Sequence, residues 1–100
     1  MYSIVWRYKI KPEFKDKFEF EYGPNGVWST LFRESENYRG SYLHQNEGSP
    51  YSYLLIDTWT DKSSYEEYKS LNKVRYTDQS SNLDYLYDEE ELVGTYTSVT

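Results

Sequence analysis

The sequence predicts an α+β fold of the ferredoxin-like βαββαβ type, with a four-stranded antiparallel sheet and helices on one face. Three observations carry this. Residues 2–10, YSIVWRYKI, place Ile4, Trp6, Tyr8 and Ile10 on one face at period two, the signature of a strand. Phe14, Phe18 and Tyr22 then recur every fourth residue, the spacing of a helical stripe. Finally, two apolar stretches, SYLHQ (41–45) and YSYLLIDTWT (51–60), flank the short Gly/Pro turn NEGSP (46–50) and read as a hairpin.

The elements follow in order. Ser3, Val5, Arg7 and Lys9 form the second face of the first strand. Pro12 sits where a first helical turn tolerates proline, with Glu13 beside it. Gly23-Pro24 ends this helix. The side chain of Asn25 is expected to cap a second short helix, on which Val27, Trp28, Leu31 and Phe32 share one side. Asp61 is the expected N-cap of a helix through KSSYEEYKSL, with Tyr65, Tyr68 and Leu71 at helical spacing. Residues 73–87 read as weaker helix or irregular chain, the acidic run DEEE (88–91) as a solvated loop, and LVGTYTSV (92–99) as the last strand. The strands carry apolar residues on both faces, Ile4, Trp6 and Tyr8 beside Val5, and Leu54 and Ile56 beside Leu55 and Trp59. The uncovered sheet face is therefore an expected interaction surface, which a homodimer packed sheet to sheet would cover.

One hundred residues make a single domain, residues 1–100, with a core of modest size. Thirteen Tyr, three Trp and four Phe give large rings with polar tips, suited to interfaces and mixed pockets. A net charge of −6 without a Lys/Arg cluster argues against nucleic acid as a partner. No apolar run approaches membrane-spanning length, and MYSIVWRYKI lacks the apolar core of a signal peptide, so a cytoplasmic protein is expected. The absence of Cys removes disulfides, thiol nucleophiles and Cys-based metal sites.

The segments IVWRYKIKPEFKDKF, YRGSYLHQ and YLLIDTWTDKSSYEEYKS together resemble the antibiotic biosynthesis monooxygenase family of dimeric α/β-barrel proteins. The resemblance lies in the order of the pieces and covers nearly the whole chain; YGPNGVWSTLF resembles an insert of one subgroup. It implies a homodimer with a barrel between two sheets, and a pocket between each sheet and its own helices. It further implies oxidation of a small aromatic or polycyclic phenol by molecular oxygen, with no flavin, haem or metal cofactor. Non-catalytic small-molecule-binding or stress-associated proteins and muconolactone-type isomerases share the architecture, so fold alone leaves these alternatives open. The haem-degrading branch, similar in layout, uses Asn on the first strand, Trp on the third-strand helix and His further along as iron ligand. Those positions fall near Arg7, Tyr68 and residues 76–79, which do not match.

Each candidate residue has a plainer reading beside its functional one. His44, the only histidine, is the candidate base, or a strand residue pointing at solvent. Arg7 could hold a phenolate, but an arginine in a sheet covered on both faces needs a partner, and Asp57 is the expected one. Asn25 could hold a substrate oxygen, or only cap its helix. Trp28 and Trp59 could stack a planar ligand, although core packing is the better expectation for Trp59. Trp28 is expected at the mouth of the pocket. Tyr22, Tyr65 and Tyr68 could bond a ligand, with nothing to single one out among thirteen tyrosines.

Overall fold

The computed structural model describes all residues from Met1 to Thr100. Strand β1 (Tyr2–Ile10) leads through one 3-10 turn to helices α1 (Lys15–Glu21) and α2 (Val27–Phe32). The hairpin β2 (Tyr38–Asn46) and β3 (Ser49–Trp59) follows, then α3 (Lys62–Leu71), α4 (Lys73–Leu83), a second 3-10 turn and β4 (Tyr87–Thr97). The four strands form one antiparallel sheet in the order β2-β3-β1-β4. This is the predicted ferredoxin-like α+β arrangement. No helix is long and apolar enough to cross a membrane.

Strand alternation decides which residues meet the helices. On β1, Tyr2, Ile4, Tyr8 and Ile10 are buried while Arg7 and Lys9 are exposed. On β3, Tyr53, Leu55, Asp57 and Trp59 turn to the helices. Rings dominate the resulting core. Trp59 is fully buried and touches Phe32, Tyr38, Tyr65 and Tyr68, with ring centroids 5.3 to 5.6 Å apart. Phe18 stacks on Tyr22 at 4.5 Å.

The Tyr22–Trp28 corner is built on two buried glycines. A Cβ on Gly26 would lie 2.1 Å from the Glu21 carbonyl oxygen and 2.3 Å from that of Phe20, so the backbones touch there. Gly26, not Asn25, is the N-cap of α2, and no side chain caps that end; Asn25 is exposed. The corner's carbonyls are instead satisfied from α2: Ser29 Oγ donates to Gly23, Thr30 Oγ1 to Gly26 and Arg33 Nη1 to Pro24.

Three further expectations are corrected. Arg7 pairs with Glu91 at 2.7 Å rather than with Asp57, because Arg7 points to the open face and Asp57 to the helices. The run DEEE belongs to β4 rather than to a loop. Glu91 and Glu89 lie directly across from Arg7 and Lys9, and opposite charges on facing strands favour pairing despite the poor strand propensity of Glu. Residues 73–83 form a second regular helix. Asn72, at φ −119° and ψ 28°, ends α3, and both its backbone N–H and its side-chain amide donate to the Tyr68 carbonyl. Helix α4 is lightly held, with Leu83 its one buried residue. The expected Asp61 cap is present, accepting from the Ser64 N–H at 2.8 Å.

Gly26→Ala is expected to lower stability by about 2 kcal/mol or more, since the methyl meets backbone that cannot yield. Asn25→Ala should change it by less than about 0.5 kcal/mol. Urea unfolding midpoints read both.

Candidate functional site

Between the covered sheet face and the helices lies a cavity of about 150 Å³. An apolar cavity of that size holds roughly one benzene ring. Trp6 and Tyr8 of β1 and Leu55 and Asp57 of β3 make its floor. Tyr22, Trp28 and Phe32 wall it from the corner and α2. Lys69 of α3, Tyr76 and Ser80 of α4 and Glu90 of β4 close it; Glu90 is exposed and Lys69 and Ser80 half-buried, so they mark the solvent side.

Asp57 is the one carboxylate buried in this space, at 7% exposure. Its hydrogen-bond donor is the Ser41 hydroxyl, at 2.5 Å, on the directly opposite residue of β2. It has no ion pair. Burial drives its pKa up to about 6, against the opposing pull of the Ser41 bond. Lys69 lines the same cavity without pairing with Asp57, and its ammonium lies over rings, 4.7 Å from the centroid of Tyr76 and 5.4 Å from that of Tyr65. The neighbouring hydroxyls stay protonated: burial pushes Tyr8 and Tyr22 up, and Tyr76 up to about 12. The base able to take a proton near neutral pH inside the cavity is therefore Asp57.

The complementary donor is the Trp28 indole. Its Nε1–H is buried and meets no acceptor. The Tyr22 hydroxyl is near enough to feel it but does not form a hydrogen bond with it. A buried donor left unmade costs about 1–3 kcal/mol. An acceptor atom on a ligand in the cavity would remove that cost.

The structure separates the residues singled out in the sequence. Trp28 and Tyr22 line the cavity. Trp59, Tyr65 and Tyr68 pack in the core beside it, the Tyr68 hydroxyl donating to the Leu31 carbonyl at 3.0 Å. Asn25 stands exposed at the corner. His44 and Arg7 flank Leu54 on the opposite face of the sheet and do not reach the cavity. The reason is parity: both fall on the outward set of their strands. Asp57, Tyr76 and Lys69 were not singled out as site residues. For Asp57 a signal existed, since in YLLIDTW it shares the period-two set of Tyr53, Leu55 and Trp59, and a carboxylate in such a set has to be buried.

Neither a protein-family model nor a curated protein sequence matches the chain. Solved structures do. A putative antibiotic biosynthesis monooxygenase from Bordetella bronchiseptica superposes with a TM-score of 0.74 at 14% identity, over 99% of this chain and 97% of the other. SnoaB, a cofactor-independent oxygenase from Streptomyces nogalater, gives 0.70 at 17% identity, over 99% and 93%. A conserved protein from Methanosarcina mazei Go1 gives 0.69 at 18% identity, over 95% and 89%. Architecture, strand order and near-complete mutual coverage agree, and the chain has the fold of the antibiotic biosynthesis monooxygenases.

Proposed function

We propose that the protein is a cofactor-independent monooxygenase acting on a small phenol. The observation that carries this reading is Asp57, a buried carboxyl set in a ring-walled cavity beside an unpartnered indole N–H. The likeness to SnoaB supports it at the level of fold. Asp57, in place of His44, takes the phenol proton. The Trp28 N–H holds the resulting oxyanion, and Trp6 and Trp28 offer faces for the ring. The electron-rich ring carbon forms a C–O bond with oxygen, and loss of water from the hydroperoxide leaves a quinone. One phenol and one O₂ give one quinone and one water, so the electrons balance within the substrate itself. The cavity volume fits a single ring; a polycycle requires the helices to part.

Convergence of Asp57, Trp28 and Tyr76 weighs against a purely structural cavity. The same base would serve a proton-shuttling isomerase, which consumes no oxygen. Oxygen uptake with a panel of hydroquinones, naphthols and anthrones separates these readings. We expect uptake that rises with pH through about 6 as Asp57 ionises and falls about 100-fold or more in Asp57→Asn. Uptake unaffected by that substitution would remove Asp57 from the chemistry. Turnover of substrate without uptake would favour the isomerase.

The base also costs stability. Burial raises its folded-state pKa from an ordinary 3.8 to about 6, so the folded protein holds this proton more tightly than the unfolded chain. The stability due to the neutral form is complete below pH 4 and is lost as pH rises through about 6. Asp57→Asn should therefore be up to about 3 kcal/mol more stable than the parent at pH 7.5, with most of the gain gone near pH 4. Unfolding at the two pH values reads the difference.

The partner proposed for the open sheet face is a second copy. Tyr42, Leu54 and Tyr96 are exposed there, with Val5 and Ile56 between them, rimmed by the Arg7–Glu91 pair. Leu54→Glu should convert dimers into monomers in sedimentation, because like charges would be buried at the centre of the joint.

A further inference from the structure

A line of hydroxyls links the carboxyl in the cavity to a separate cleft on the surface. Ser41 Oγ, which donates to Asp57, lies 2.5 Å from the Tyr38 hydroxyl as well. The Tyr38 hydroxyl in turn lies 3.4 Å from Ser29 Oγ, which donates to the Gly23 carbonyl at 3.0 Å. Ser29, Tyr38 and Ser41 all line an open surface cleft of about 400 Å³ outside the cavity, between α2 and β2. Ser41 thus joins the buried carboxyl to the outer cleft, and Tyr38 and Ser29 extend the line of hydroxyls along it.

A bulge in β2 makes this alignment. Residues three apart on a regular strand point to opposite faces. Here Tyr38 pairs with Trp59, Gly40 with Thr58 and Ser41 with Asp57, so Arg39 is the extra residue and Tyr38 and Ser41 both face the helices. Gly40 takes φ 119°, which other residues rarely adopt.

We propose that Ser41 and Tyr38 form a proton relay that carries the proton taken up by Asp57 out to this cleft. The proposal rests on Asp57 being the base. A hydroxyl both donates and accepts, so the chain exists in two senses. With Asp57 ionised, Tyr38 donates to Ser41 and Ser41 to Asp57. With Asp57 protonated, the bonds reverse: Asp57 donates to Ser41, Ser41 to Tyr38, and Tyr38 to Ser29, the alternative acceptor within reach. In the transfer, the Asp57 O–H bond breaks as one forms on Ser41 Oγ. The original Ser41 proton passes to Tyr38, and the original Tyr38 proton passes to solvent in the cleft. Each oxygen of Ser41 and Tyr38 ends with one proton, and one proton leaves. A substrate ring filling the cavity blocks the direct way out, which makes a separate route useful.

Two arginines border the exit. Arg33 and Arg39 are bonded to the carbonyls of Pro24 and Glu36, both at 2.7 Å, whereas Arg7 and Arg75 are paired with carboxylates. Their unneutralised charge disfavours a proton lingering at the mouth. The groups that face Asp57 across the cavity are Tyr8 from β1, Tyr22 from the end of α1, Lys69 from α3, Tyr76 from α4 and Glu90 from β4. None of them is hydrogen-bonded to Ser41 or Tyr38.

Tyr38→Phe is the clean test, because it keeps the ring that packs on Phe32 and Trp59 and removes only the hydroxyl. Infrared spectroscopy of the Asp57 carboxyl, assigned against Asp57→Asn, gives its titration midpoint and, after a pH jump with the cavity filled by nitrobenzene, a single ring without a hydroxyl, its rate of proton exchange. We expect Tyr38→Phe to leave the midpoint in place and slow the exchange by about tenfold or more, with added imidazole restoring part of the rate. An unchanged rate in Tyr38→Phe overturns the relay and leaves Asp57 as base. An Asp57 that does not titrate between pH 4 and 8 overturns both. Unchanged near-ultraviolet circular dichroism confirms that the variant is folded.

Discussion

The packing of rigid rings between the sheet and the helices governs how the other parts of this protein are placed. Trp59, at the end of β3, sits among Phe32, Tyr38, Tyr65 and Tyr68 with tilted or edge-on contacts. Such arrangements suit the ring quadrupoles but leave gaps between rigid plates. Trp6, Trp28 and Tyr76 are large rigid plates with fewer ways than long aliphatic chains to adapt to the gap between them. The cavity is what the ring packing leaves over, and the short helix α2, swung in by the glycine corner, supplies its wall.

The polar groups of the site are placed by the same lattice of rings. Asp57 occupies a position whose neighbours on the same strand face are Leu55 and Trp59, and one hydroxyl on β2 is what it has in place of water. The Trp28 N–H is oriented by the contacts of its ring with Tyr22, Phe32 and Tyr76, which take no account of hydrogen bonding. Both groups are less well solvated than they would be in the unfolded chain. This is the usual relation between a preorganised site and the stability it detracts from.

The architecture was legible in the sequence because it rests on short-range periodicity. Ile4, Trp6, Tyr8 and Ile10 announce their face, and Asp61 announces the start of α3. Where the reading failed, the deciding interaction was long-range. Glu89 and Glu91 are poor strand formers until Lys9 and Arg7 stand opposite them. Asn25 is a good cap by composition, yet the close contact of Gly26 with the end of α1 sets where α2 begins. The site was half legible: the corner marks Trp28 and Tyr22, but the chemistry of His44 and Arg7 does not say which side of the sheet the helices cover. Asp57 needed the opposite order of reasoning, first the face and then the charge.

The light attachment of α4 has a consequence for how the interior is reached. This helix carries Tyr76 and Ser80 over the cavity, yet Leu83 is its only buried residue and Val74 is 73% exposed. Asn72 interrupts the backbone where α4 meets α3, so one helix can fray without unwinding the other. Segments with little buried apolar surface open at a small fraction of the global unfolding free energy. Amides of α4 therefore exchange with solvent well before those of β1 and β3. Opening of α4 would uncover Tyr76 and Ser80 over the cavity while the sheet and its rings stay packed.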